Sequence, residues 1–156
     1  ITPNGRTKTI SGKSAAGYDM AISVPTTMGG NADMAMTVNL TGPVWIVKGA
    51  PGSADWANFY KQAASKGFIF GDPRAVKGSP GQAKAMVEMY RKMAELGGIA
   101  YETETSVKMD GSGPMAGLMA KMGGVTMSTS VTDVNGGALA DDLFAVPAGY
   151  KLKERK

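Results

Sequence analysis

The chain has 156 residues, a formal net charge of +4, 22 glycines, 12 methionines, 7% aromatic residues, and neither cysteine nor histidine. Without those two residue types there are no thiol nucleophiles, disulfides, Cys/His metal sites or imidazole acid–base chemistry. Lys151, Lys153, Arg155 and Lys156, offset by Glu154, hold +3 of the charge and leave +1 on residues 1–150, too little for the basic face of a nucleic-acid binder.

A length of this order implies one domain, placed at residues 1–150, with residues 151–156 as a basic tail. Few aromatics mean that core volume must come from aliphatic residues and methionine, a flexible gap filler. No run approaches the roughly 20 apolar residues that span a bilayer as a helix, so no transmembrane segment is expected. The start at Ile1-Thr2-Pro3 reads as a processed product or a fragment, and loss of a signal peptide fits the first.

In chain order, "RTKTI" (6–10) reads as a strand, with Gly12 and "SAAG" breaking the pattern. "YDMAISV" (18–24) alternates strictly, with Tyr18, Met20, Ile22 and Val24 on one face, the mark of a strand with one wet side. Pro25 and Gly29-Gly30 are expected to form a loop. "MAMTVNL" (34–40) repeats the alternation, Gly42-Pro43 is expected to turn the chain, and "VWIV" (44–47) reads as a short covered strand.

The period then changes. Trp56, Phe59, Tyr60, Ala63 and Ala64 recur as one face of an amphipathic helix, with Ser53 as the expected N-cap, Asp55 in the first turn and Gly67 closing it. Residues 68–74 read as a link and turn. A second helix opens with Ser79 as cap, Pro80 at its first position and Gln82 completing a capping box; Met86, Tyr90, Met93 and Leu96 form its stripe, and Gly97-Gly98 end it. Glu88 and Lys92 are spaced for an i, i+4 ion pair.

"IAYETETSVKM" (99–109) returns to strand period, with Ile99, Tyr101, Thr103, Thr105, Val107 and Met109 on one face and Glu102 and Glu104 opposite. "DGSGPMAGLMAKMGG" reads as a weak helix or a Met-rich flap, since each glycine costs about 1 kcal/mol in a helix interior. Residues 125–134 alternate again, "LADDLF" (139–144) reads as one tight helical turn and "VPAGYKL" as a last extended piece. There Phe144 and Val146 are expected to plug the end of the sheet, Pro147 to stop the strand, and Gly149 to allow a turn. The order β-β-β-β-α-α-β-flap-β implies an α+β fold: a curved antiparallel sheet with two main helices packed on one side.

The segments "GRTKTISGKSAAGYDM" (5–20), "VWIV" (44–47) and "LFAVPAGYK" (143–151) together resemble a family of bacterial envelope proteins, domain of unknown function family 4412. That family is similar to the periplasmic lipoprotein carriers LolA and LolB, curved half-barrels with helices on the concave side. The resemblance implies a periplasmic or secreted bacterial protein that handles lipid or another apolar ligand. This chain departs from the family pattern in having Ala16, or a neighbour, where members carry a cysteine, and in starting at the Thr-Ile-x-Gly segment without the strands that precede it. Residues 6–10, with Thr7, Thr9 and Ile10, would then form a free edge open to a protein partner.

The candidate ligand-binding residues are Trp45, Trp56, Phe59, Tyr60, Met86, Tyr90, Met115, Met119 and Met122, as an aromatic and thioether lining between sheet and helices. The same aromatics also fit plain core packing, and the methionines also suit packing or soft Cu(I) ligation. The aspartates and glutamates suggest no catalytic pair, a serine nucleophile would lack its histidine, and "GSGPMAG" lacks the Lys-Ser/Thr of a phosphate loop. The expectation is a non-enzymatic envelope protein without cofactor or resident metal. An accessory subunit of a membrane-associated complex and a weak Cu(I) binder are the alternatives.

Overall fold

A computed structural model describes residues 1–27, 35–66, 80–111, 116–117, 121 and 123–150. The strands are β1 (Thr2–Ile10), β2 (Lys13–Thr27), β3 (Ala35–Lys48), β4 (Gly98–Gly111) and β5 (Val125–Ser130). They form one sheet in the order β1-β2-β3-β4-β5, each pair antiparallel. The sheet is curved and does not close into a barrel. The helices α1 (Ser53–Lys66) and α2 (Pro80–Leu96) lie between β3 and β4 in the chain, so the fold is the expected α+β arrangement. Among the described residues no helix is long and apolar enough to cross a membrane.

Among the described residues three strands precede the helices, not four. Residues 35–48 run as a single strand through Gly42-Pro43, where a turn was expected. Gly42 makes this possible. Its φ is +146°, and a Cβ there would lie 1.9 Å from the carbonyl oxygen of Glu104. A glycine that reads as a turn signal is instead a point of close strand approach. Likewise β2 starts at Lys13 and runs through "SAAG" and past Pro25, the turn being confined to Ser11-Gly12. Pro25 faces Thr37 at the far end of β2, beyond the part that pairs with β1, where a missing N–H on the outer edge costs nothing.

The sheet is apolar on both faces at one end. Tyr18, Val44 and Ile46 pack with Met20, Leu96 and Ala100 on the side that carries α2. Ile10, Ala15, Val47, Ala50, Ile99 and Tyr101 form a second cluster, flanked by Trp45, Val131 and Val134. Neighbours along β3 alternate between the two clusters, as side chains on a strand must. The single-face reading of 99–109 fails at a bulge: the β3–β4 register shifts between Trp45 and Ile46, where Trp45 pairs with Glu102 and Ile46 with Ala100. Ile99 and Tyr101 therefore pack opposite the helices, while Val107 and Met109, paired with Leu40 and Val38, lie on the helix side.

Helix α1 opens on a tight turn in which the Ser53 N–H donates to Ala50 O (3.0 Å) and the Trp56 N–H to Gly52 O (2.9 Å). Gly52 thus occupies the capping position. The Ser53 side chain, expected as the cap, is buried with no hydrogen-bond partner for its hydroxyl. Helix α2 begins at Pro80 as expected; Ser79 lies outside the described residues. It ends at Leu96, and Gly97 (φ +65°) alone leads into β4. Glu88 and Lys92 do not pair: Arg91 donates to Glu88 (2.5 Å) and Lys92 to Glu95 (2.8 Å). After β5 the Val131 N–H still donates to Tyr101 O (2.8 Å), and residues 141–144 make the expected tight turn as a 310 helix. The following residues turn instead of extending, with Gly149 at φ +96° and the Tyr150 N–H donating to Pro147 O (3.3 Å). Val146 plugs nothing, being 60% exposed.

Candidate functional site

Cross-strand register builds an apolar floor on the helix side of the sheet. One row runs Ile22, Leu40, Val107, Val125 from β2 to β5, and the next runs Val24, Val38, Met109. Met127, two residues along β5, extends the floor beside Thr105. Burial fades along these rows. Val24 is 6% exposed, Leu40 and Val107 are half-buried, and Met109, Met127 and Val125 reach 37%, 52% and 61%. The reason lies in helix placement. Ala85 and Met89 of α2 border a groove with Ile1, Ala21 and Ile22, so α2 sits over β2, and among the described residues the β5 side chains of the floor stay exposed.

The helices pack together along an aromatic seam. Trp56 stacks on Phe59 at 5.7 Å between ring centroids, Tyr60 meets Trp56 edge-on at 5.4 Å, and Tyr60 approaches Tyr90 of α2 at 5.8 Å. Such pairs add about 0.5–1.5 kcal/mol each beyond area burial. Tyr90 is 1% exposed, and burial, reinforced by the neighbouring Tyr90, pushes the Tyr60 phenol above its ordinary value of 10.0. Trp56 and Phe59 remain 42% and 38% exposed, an apolar surface on α1.

The predicted lining is divided by the sheet. Trp56, Phe59, Tyr60, Met86 and Tyr90 stand on the helices, with Met86 half-buried. Trp45 does not join them. It alternates with Val44 and Ile46, which face α2, and so lies on the opposite face, where Lys8 Nζ sits 4.5 Å and the Arg6 guanidinium 5.7 Å from its ring centroid. Lys8 also pairs with Glu102, and Arg6 with Asp19 (3.4 Å). Met115, Met119 and Met122 fall outside the described residues. On β1, which is an edge strand, Thr7 and Thr9 are exposed, but Ile10 is buried in the core and presents no side chain to a partner.

Sequence reasoning missed the β4–β5 floor as a site, although the alternation of "TSVKM" and "VTM" carries its signal. It also missed the polar setting of Trp45, which depends on register between strands far apart in sequence. Among the described residues no group of three His, Cys, Asp or Glu side chains is placed to hold a metal ion. The chain matches no protein-family model, and no curated protein or solved structure shows significant similarity to it.

Proposed function

We propose that the protein is a non-enzymatic bacterial envelope protein that holds an apolar ligand, a lipid or a lipidated partner against the helix-bearing face of its curved sheet. The observation that carries this reading is the open end of the floor: Met109, Val125 and Met127 lie on the same face as buried Val24 yet stay 37–61% exposed. Exposed apolar side chains continuous with a core mark a binding surface. A sheet with one roofed and one open end suits an acyl chain, which needs an apolar trough and few directed polar contacts. The resemblance of residues 5–20, 44–47 and 143–151 to envelope proteins similar to lipoprotein carriers supports the same reading.

The test is titration of delipidated protein with a fluorescent fatty acid. Saturable binding is expected, weakened at least roughly tenfold by Val125→Asp/Met127→Asp, with thermal unfolding unchanged because both side chains are already exposed. Absence of saturable binding, or binding that the double variant leaves intact, overturns the proposal.

A further inference from the structure

On the face away from the helices, three strips of different chemistry lie side by side. Pro43 and Trp45 on β3 make an apolar strip, Glu102 and Glu104 on β4 an acidic one, and Ser128 and Ser130 on β5 a hydroxyl one. All six line one groove, with Lys8 among its walls. Register sets them in order: Trp45 pairs with Glu102, Glu102 with Ser130, and Glu104 with Ser128. Within each strip the residues are two apart, so both point to the same side. Adjacent strips stand one strand spacing apart, roughly 4.8 Å.

We propose that this groove binds a neutral sugar, a pyranose unit of a glycan, with its C–H face on the Pro43–Trp45 strip and its hydroxyls over Glu102, Glu104 and the two serines. The chemistry selects this class. A carboxylate accepts from hydroxyl donors, a serine both donates and accepts, and the Lys8 ammonium donates. Together they match the mixed donor and acceptor pattern of vicinal hydroxyls. Lys8 and Arg6, the two cations over the Trp45 ring, are each matched by a carboxylate, Glu102 and Asp19, so Glu104 is the surplus charge that turns away a phosphate or an acidic sugar. An acyl chain finds too little apolar surface beside the acidic and hydroxyl strips. Lys8 lies over the Trp45 ring, pairs with Glu102 and lines the groove, while Glu104, Ser128 and Ser130 are exposed. This site is independent of the apolar floor, because it occupies the other face of the sheet.

The experiment is amide NMR titration of the protein with maltose, cellobiose and N,N′-diacetylchitobiose into the millimolar range. Saturable shifts centred on Trp45 and on residues 102–104 and 128–130 are expected with at least one of them. Glu104→Gln/Ser128→Ala, at exposed positions that preserve the fold, is expected to weaken that binding roughly tenfold. Trp45→Phe, which keeps an aromatic platform, is expected to retain part of it. No shifts with any of the three sugars, shifts confined to the helix side, or shifts unaffected by the double variant overturn the proposal. The fatty-acid titration reads a different face, so either proposal can fail alone.

Discussion

Replacing Gly42 by alanine tests the continuity of β3, on which both faces depend. The added methyl carbon would lie 1.9 Å from Glu104 O and 3.0 Å from Glu104 C, against the 3.4 Å where ordinary contact begins. Relieving that overlap requires β3 and β4 to part by about 1.5 Å at this point, enough to break ladder bonds whose normal length is about 2.9 Å. One or two lost bonds cost about 1–2 kcal/mol, and holding alanine at φ +146° adds about 1–3 kcal/mol. The expected loss is roughly 2–5 kcal/mol, a large share of a typical domain stability of about 5–15 kcal/mol. Gly12→Ala is the control. Its φ is +73°, but nothing lies within 4 Å of an added Cβ, so it carries backbone strain alone. Urea unfolding followed by far-UV circular dichroism, extrapolated linearly, gives both values. If the two variants lose stability equally, the steric term is absent and β3 does not pass residue 42 against β4.

Ser53→Ala is expected to cost less than about 0.5 kcal/mol, well under the ~1 kcal/mol typical of a lost N-cap, because the hydroxyl has no hydrogen-bond partner; chemical denaturation measures it, and a loss near the cap value would restore Ser53 to that role. Tyr60 is expected to destabilise the fold in alkali. Its folded pKa is raised above the ordinary 10.0, chiefly by burial and then by Tyr90, so the unfolded chain releases the proton first and stability falls as pH rises from about 10 through the higher folded value. Tyr60→Phe should flatten that alkaline loss in pH-dependent urea midpoints, and an unchanged profile would refute the assignment.

The fold class was legible because strict alternation at 18–24, 34–40 and 99–109 and the helical stripes at 56–64 and 86–96 each carry a single period. Helix ends read well where backbone chemistry leaves little choice, at Pro80 and Gly97. Failures came where a local signal met a tertiary constraint. Gly42-Pro43 has turn composition, but the glycine admits a neighbouring carbonyl and the strand continues. The face of Ile99 and Tyr101 is set by a bulge opposite Trp45 and Ile46, which no spacing within 99–109 reveals. For the same reason the aromatic lining was read as one group: Trp45 differs from Val44 only in strand parity, and parity gains meaning once the helices choose a side. The Trp45 groove joins residues 8, 43, 45, 102–104 and 128–130, a set assembled by register alone.

The placement of α2 reaches beyond the ligand question. Strand β1 pairs with β2 only as far as Asp19, so the remainder of β2, through Thr27, ends the sheet on that side. Ala85 and Met89 of α2 share a groove with Ala21 and Ile22 there. The helix therefore stands guard over a bare β margin that would otherwise invite strand-by-strand accretion of further copies. Conditions that loosen α2 would bare this stretch of β2 and add it to the strand edges that β1 and β5 already present among the described residues.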